Sequence, residues 1–116
     1  MALFRKKQQS MADMDGQVLE QLVRAGADLS NERNICHYLY VATQEHAATA
    51  EALLAGEGYS VRTNPAAQGP GWAVVAERRQ VVDAASVAEA RARFESLLPP
   101  DAKADYDGWE AELVEG

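Results

Sequence analysis

The stretch Ile35-Cys36-His37-Tyr38-Leu39-Tyr40-Val41 decides the fold of this 116-residue chain. It is a β-branched and aromatic run, and in a strand its side chains alternate between two faces. Ile35, His37, Leu39 and Val41 share one face, and Cys36, Tyr38 and Tyr40 share the other. Neither set is polar enough to be left wholly in water, so the run reads as a central strand.

Upstream, Asp13 or Asp15 can cap a helix in which Val18, Leu19, Leu22 and Val23 form one stripe, with Gly26 as its left-handed stop. Residues 27–33 read as a connection, where Asp28, Ser30 and Asn31 offer turn chemistry. Downstream, Thr43 offers an N-cap for a helix running to about Ala55, and Ala47, Ala50, Leu53 and Leu54 give it a small-residue face that can lie close to a sheet. Gly56 and Gly58 end it before the short alternating strand Tyr59-Ser60-Val61-Arg62-Thr63. Residues 64–71 carry the proline and glycine of a mobile loop too long for a two-residue hairpin.

The run from Trp72 to about Val82 sets Trp72, Val74 and Ala76 opposite Ala73, Val75 and Glu77, and should pair with the strand before it. Ser86 and Glu89 match a capping box for a helix with the stripe Val87, Ala90, Phe94, Leu97 and Leu98, terminated by Pro99-Pro100. The last segment, Tyr106 to Leu113, suits a helix by composition but alternates as a strand, and the strand is preferred. The order is a helix followed by β-α-β-β-α-β. It predicts an α+β, ferredoxin-like α/β sandwich: an antiparallel four-stranded sheet with helices on one face, preceded by an extra N-terminal helix. Residues 1–12, polar and with Arg5, Lys6 and Lys7 clustered after Phe4, are expected to form a disordered tail, and 13–116 a single domain.

Apolar content of 47 % and charged content of 25 % are ordinary for a globular protein, and no run approaches the length of a membrane span. The amino terminus has the wrong order of charge and apolar residues for a secretory signal, and a single cysteine, Cys36, agrees with a reducing compartment; cytoplasmic residence is expected. Eleven basic against 18 acidic residues give a net charge of −7, and from Asp101 onward Lys103 is the one base among the acids. Such a charge repels phosphate backbones and speeds encounter with a basic partner, so no direct nucleic-acid binding is expected.

Neither a metal nor a cofactor is expected. His37 and His46 fall on different elements with no ligand spacing, and Cys36 and His37, adjacent on a strand, point to opposite faces and cannot form a dyad. Gly69-Pro70-Gly71 lacks a donor that a phosphate loop would use. Tyr38 and Tyr40 could serve as the stacking platform of an RNA-recognition fold. The acidic charge and Trp72-Ala73-Val74-Val75-Ala76-Glu77 on the third strand oppose this, and the tyrosines read as core or as packing under the first helix. Asp101, Asp105, Asp107, Glu110 and Glu112 read as a solvated acidic face. Asp107-Gly108 reads as a tight-turn pair that aims Tyr106 and Trp109: buried, Trp109 would close the sheet; exposed, it would anchor a partner.

The helix ending at Gly26, the strand Ile35-Cys36-His37-Tyr38-Leu39, the helix ending in Gly58-Tyr59-Ser60-Val61 and above all Asp105-Tyr106-Asp107-Gly108-Trp109 resemble the RraB family of ribonuclease E inhibitors, over about residues 13–114. The resemblance implies a ferredoxin-like sandwich without enzymatic activity, which binds ribonuclease E outside its catalytic part and alters which transcripts the degradosome processes. The leading expectation is a non-enzymatic regulatory domain that docks a basic protein partner. Its protein-binding candidates are Asp105, Tyr106, Asp107, Trp109, Glu110 and Glu112, with Gly108 as the structural turn and His37, Tyr38 and Tyr40 as further candidates. The alternatives are a homodimer joined through sheet faces or edges, and a small-molecule-binding domain using a cleft near His37 and the 64–71 loop.

Overall fold

The computed structural model describes residues 11–112, with side chains from Asp15 onward. The elements are α1 (Met11–Arg24), β1 (Glu32–Val41), α2 (Gln44–Gly56), β2 (Ser60–Pro65), β3 (Trp72–Val81), α3 (Ala84–Glu95), a 3-10 turn (Pro100–Ala102) and β4 (Asp105–Ala111). The strands form one sheet in the order β2-β3-β1-β4, each neighbour antiparallel, which is the expected ferredoxin-like arrangement with β1 central. Most of the expected tail lies outside the described residues; Met11 and Ala12 already belong to α1.

The parity of β1 decides which side of the sheet is core. Ile35, His37, Leu39 and Val41 are buried, as is Arg33, which the sequence reading had left in a connection. Across β3 they meet Arg78, Ala76, Val74 and Trp72 in register, and α2 and α3 close this face with Ala47, Ala50, Leu54, Val87, Ala90 and Phe94. The small side chains of α2 are what let a helix lie close to the sheet. Leu19 and Leu22 of α1 join the same core, and α1 packs on α3, whereas Val23, expected in the stripe, is 52 % exposed.

Helix ends follow local chemistry, with two differences from expectation. α1 stops at Gly26 (φ 100), where the amides of Gly26 and Ala27 bond to the carbonyls of Val23 and Leu22, a paired C-terminal motif that needs a residue free to take positive φ. Thr43 caps α2 through the His46 amide. The capping box of α3 is formed by Asp83 and Ser86 rather than by Ser86 and Glu89, because Asp83 has the extended backbone of an N-cap and bonds the Ser86 amide at 2.9 Å. α3 ends at Glu95, ahead of the prolines, where the Ser96 hydroxyl bonds the Ala92 carbonyl at 2.8 Å.

A further difference lies in β4. Asp107-Gly108 is a β-bulge, not a turn: Leu39 pairs with Tyr106 and Tyr38 with Gly108, so Asp107 is the extra residue, and Gly108 takes φ 107. A bulge shifts the alternation by one. Tyr106 and Trp109, three apart, therefore both face the core opposite Leu39 and His37, while Asp105 and Glu110 both face outward opposite Tyr40 and Cys36. A Cβ on Gly108 would meet nothing within 4 Å, so backbone conformation and not crowding demands the glycine.

Asp15 also departs from its expected part as a helix cap. Its carboxylate accepts from Arg91 Nε at 3.0 Å and Nη2 at 2.6 Å, and from Trp109 Nε1 at 2.7 Å, joining α1 to α3 and β4. Asp15→Ala strands a largely buried guanidinium and an indole N–H, and should lower unfolding stability by about 3 kcal/mol, measured by urea denaturation. Gly108→Ala should cost about 1–3 kcal/mol in the same experiment, through positive φ alone.

Candidate protein-binding site

The two faces of β1 differ in chemistry as well as in burial. On the inner face His37 is fully buried among rings: Phe94 lies 4.6 Å away centroid to centroid, Tyr59 5.7 Å and Tyr106 5.9 Å. Its Nδ1 is 2.8 Å from the Tyr106 hydroxyl, and Nε2 has no partner among the described residues. Either tautomer leaves one hydrogen without an acceptor: Nε2–H if the phenol donates, the phenol hydrogen if Nδ1–H donates. Burial, with the positive charges of Arg78 and Arg91 behind it, pulls the imidazole pKa down to about 3, so the ring is neutral. Burial likewise raises the Tyr106 phenol. The His37 cleft of the small-molecule reading is thus occupied by the protein's own aromatic core.

Tyr106 and Trp109, expected as contact candidates, are both buried, Trp109 at 2 % exposure. The bulge turns the Trp109 indole inward to Asp15, so it packs in the core and does not stand on the outer face.

The outer face carries no helix among the described residues. Its side chains form cross-strand rows, since directly paired residues project to the same side. From one end these rows are Asp105–Tyr40–Ala73–Asn64, then Gly108–Tyr38–Val75–Arg62, then Glu110–Cys36–Glu77–Ser60. Tyr38 and Tyr40 therefore stand on the open face and not under a helix, as had been expected; Tyr40 is 37 % exposed. The Tyr38 hydroxyl donates to Glu110, and burial followed by this carboxylate raises its pKa. Burial also pushes the Cys36 thiol up, away from the reactive thiolate. Glu77 lies 3.9 Å from Arg62, and Glu112 bridges to Arg79 at 3.2 Å.

Asp105 and Glu112 are exposed and Asp107 and Glu110 half-buried along β4, which pairs with β1 and with no other described strand. The site is thus a strip of the sheet face with Tyr38, Tyr40, Ala73 and Val75 at its centre and carboxylates along the β4 edge. Arg62, Val75 and Glu77 were not singled out from the sequence. The alternation that placed Val75 and Glu77 on one side of β3 was the signal that could have found them. Among the described residues no cluster of His, Cys, Asp or Glu could hold a metal ion.

The buried imidazole gives the fold a pH dependence of definite sign. Its folded pKa of about 3 lies below the ordinary value of 6.5, so the unfolded chain takes up the proton first. The stability that the neutral ring allows is complete above pH 6.5 and lost as pH falls toward 3. Between pH 7.5 and 5 the loss should be about 2 kcal/mol in denaturant titrations, and His37→Phe should remove most of that slope.

Comparison with known proteins places this geometry in a family. No curated protein matches the chain. Residues 12–111, from α1 through the last residue of β4, match the RraB family, regulator of ribonuclease activity B. A match spanning the whole helix-plus-sandwich establishes membership: the chain belongs to the RraB family of regulators of ribonuclease activity.

Proposed function

We propose that this protein is a non-enzymatic, cytoplasmic regulator that binds ribonuclease E or its degradosome scaffold and thereby alters RNA processing. The observation that carries the reading is the sheet face that no described helix covers, with its acidic β4 edge: Tyr38, Tyr40 and Val75 at the centre, and Asp105, Glu110 and Glu112 beside them. An apolar centre with a charged rim is the anatomy of a protein interface, and the net charge of −7 favours a basic partner. The chemistry-bearing side chains support a regulatory role over a catalytic one. His37 is neutral and closed over by rings, and Cys36 lies on the opposite face with its thiol pKa raised.

The test is calorimetric titration of purified ribonuclease E with this protein at 50, 150 and 300 mM salt, alongside a cleavage assay. Binding that weakens with salt, inhibits cleavage and drops about tenfold or more in Glu110→Lys/Glu112→Lys is the expected result. The absence of a complex at 50 mM salt, or a complex indifferent to both salt and charge reversal, overturns the proposal.

A further inference from the structure

We propose that Tyr40 and Asp105, paired across β1 and β4 at one corner of the open sheet, form a guanidinium site that takes an arginine from an extended basic segment of a protein partner. This rests on the reading above that the open face receives a protein.

Directly opposed residues in an antiparallel pair set their Cβ atoms about 4.5–5.5 Å apart on one face, so the side chains of Asp105 and Tyr40 leave the sheet as neighbours. Tyr40 is the one aromatic classed as exposed among the described residues, and no ring or cation stacks on it there. Its other neighbour in the row is Ala73, too small to cover it. Of the neighbouring carboxylates on this face, Glu110 is held by the Tyr38 hydroxyl, Glu77 by Arg62 and Glu112 by Arg79. The Asp105 carboxylate makes no hydrogen bond or ion pair among the described residues, and nearby Lys103, turned in left-handed backbone, forms none with it.

The interior shows what such a pair accommodates. Arg91 lies over the Tyr106 ring, 5.0 Å from its centroid, while its guanidinium is held by the Asp15 carboxylate. Arg78 lies over Tyr59 at 4.2 Å. Tyr40 and Asp105 repeat the tyrosine-plus-aspartate half of the Arg91 arrangement on the surface, with the arginine left to be supplied. A planar guanidinium can stack on the ring and fork to the carboxylate together, which an ammonium cannot. The occupant is extended because Tyr38, two residues along β1 with Val75 beside it, continues the face at a strand's side-chain spacing. Asp105 and Glu110 repel the phosphates of the competing occupant, a single-stranded RNA stacked on the two tyrosines.

The probe is a labelled octapeptide alternating arginine and valine, with a lysine–valine counterpart and an oligouridine. Each is titrated by fluorescence anisotropy at 50 mM salt, with the interface mapped by amide chemical shifts. The arginine peptide should bind about threefold or more tighter than the lysine peptide. Tyr40→Ala should abolish that preference, Tyr40→Phe should keep it, and Asp105→Asn should weaken the arginine peptide about fivefold. Shifts should centre on Tyr38, Tyr40, Ala73 and Asp105.

Equal affinity for the two peptides, shifts confined to the helical layer, tighter binding of oligouridine, or a dimer in sedimentation that seals this face each overturns the proposal. Ribonuclease E bound undiminished by Tyr40→Ala/Asp105→Asn removes the guanidinium corner and leaves the regulator reading standing. An arginine preference dependent on Tyr40, with ribonuclease E unbound, removes the named partner and leaves the corner.

Discussion

One carboxylate holds the layers of this protein together. Asp15 on α1 receives two nitrogens of Arg91 from α3 and the indole N–H of Trp109 from β4, so a single side chain satisfies donors on two elements far apart in sequence. Arg91 in turn lies over Tyr106, whose hydroxyl meets the buried His37 on the central strand. A polar thread thus runs from the outermost helix to the middle of the sheet through an otherwise apolar core. Buried polar groups of this kind contribute little net stability when paired, but they penalise every packing in which they are unpaired. The thread therefore fixes how α1 sits on the sandwich more sharply than Leu19 and Leu22, which slide against other apolar surface at little cost.

The sheet divides the labour by parity. Inward residues of β1 are consumed by packing: the histidine is neutral, the arginine at 33 donates to the carbonyls of Asp28 and Glu112, and no solvent reaches either. Outward residues carry no helix over them among the described residues. The side carrying the histidine is the one that cannot be reached, and the reachable side is built of tyrosine, valine, alanine, carboxylates, Arg62 and a half-buried cysteine whose thiol burial holds protonated. Such a surface suits recognition, and belonging to a family of ribonuclease regulators accords with it.

Much of this was legible in the sequence because it depends on local rules. The alternation of Ile35 to Val41, the cap at Thr43 and the stop at Gly26 are each set by residues within a few positions, and each appears where those residues place it. What was not legible depends on distant partners. Asp15 looks like a helix cap until Arg91 and Trp109 arrive from beyond residue 90, and Tyr38 and Tyr40 look like core, although every described helix lies on the other side of the sheet. Arg33, charged and next to turn residues, reads as loop, and only the added pairing of β1 with β3 and β4 makes it interior.

The bulge at Asp107-Gly108 has a further consequence for how this strand tolerates change. In a regular strand a substitution alters one side chain and leaves its neighbours facing as before. Here the backbone carries information that the residues alone do not, because the bulge absorbs Asp107 and so keeps Trp109 in phase with Tyr106. Drawn out as a regular strand with every residue kept, the same segment would set Trp109 outward opposite Cys36 and Glu110 inward opposite Ile35. Removal of Asp107, by contrast, would take away the bulge and leave both facings as they are, so this strand tolerates a deletion at that point better than a straightening.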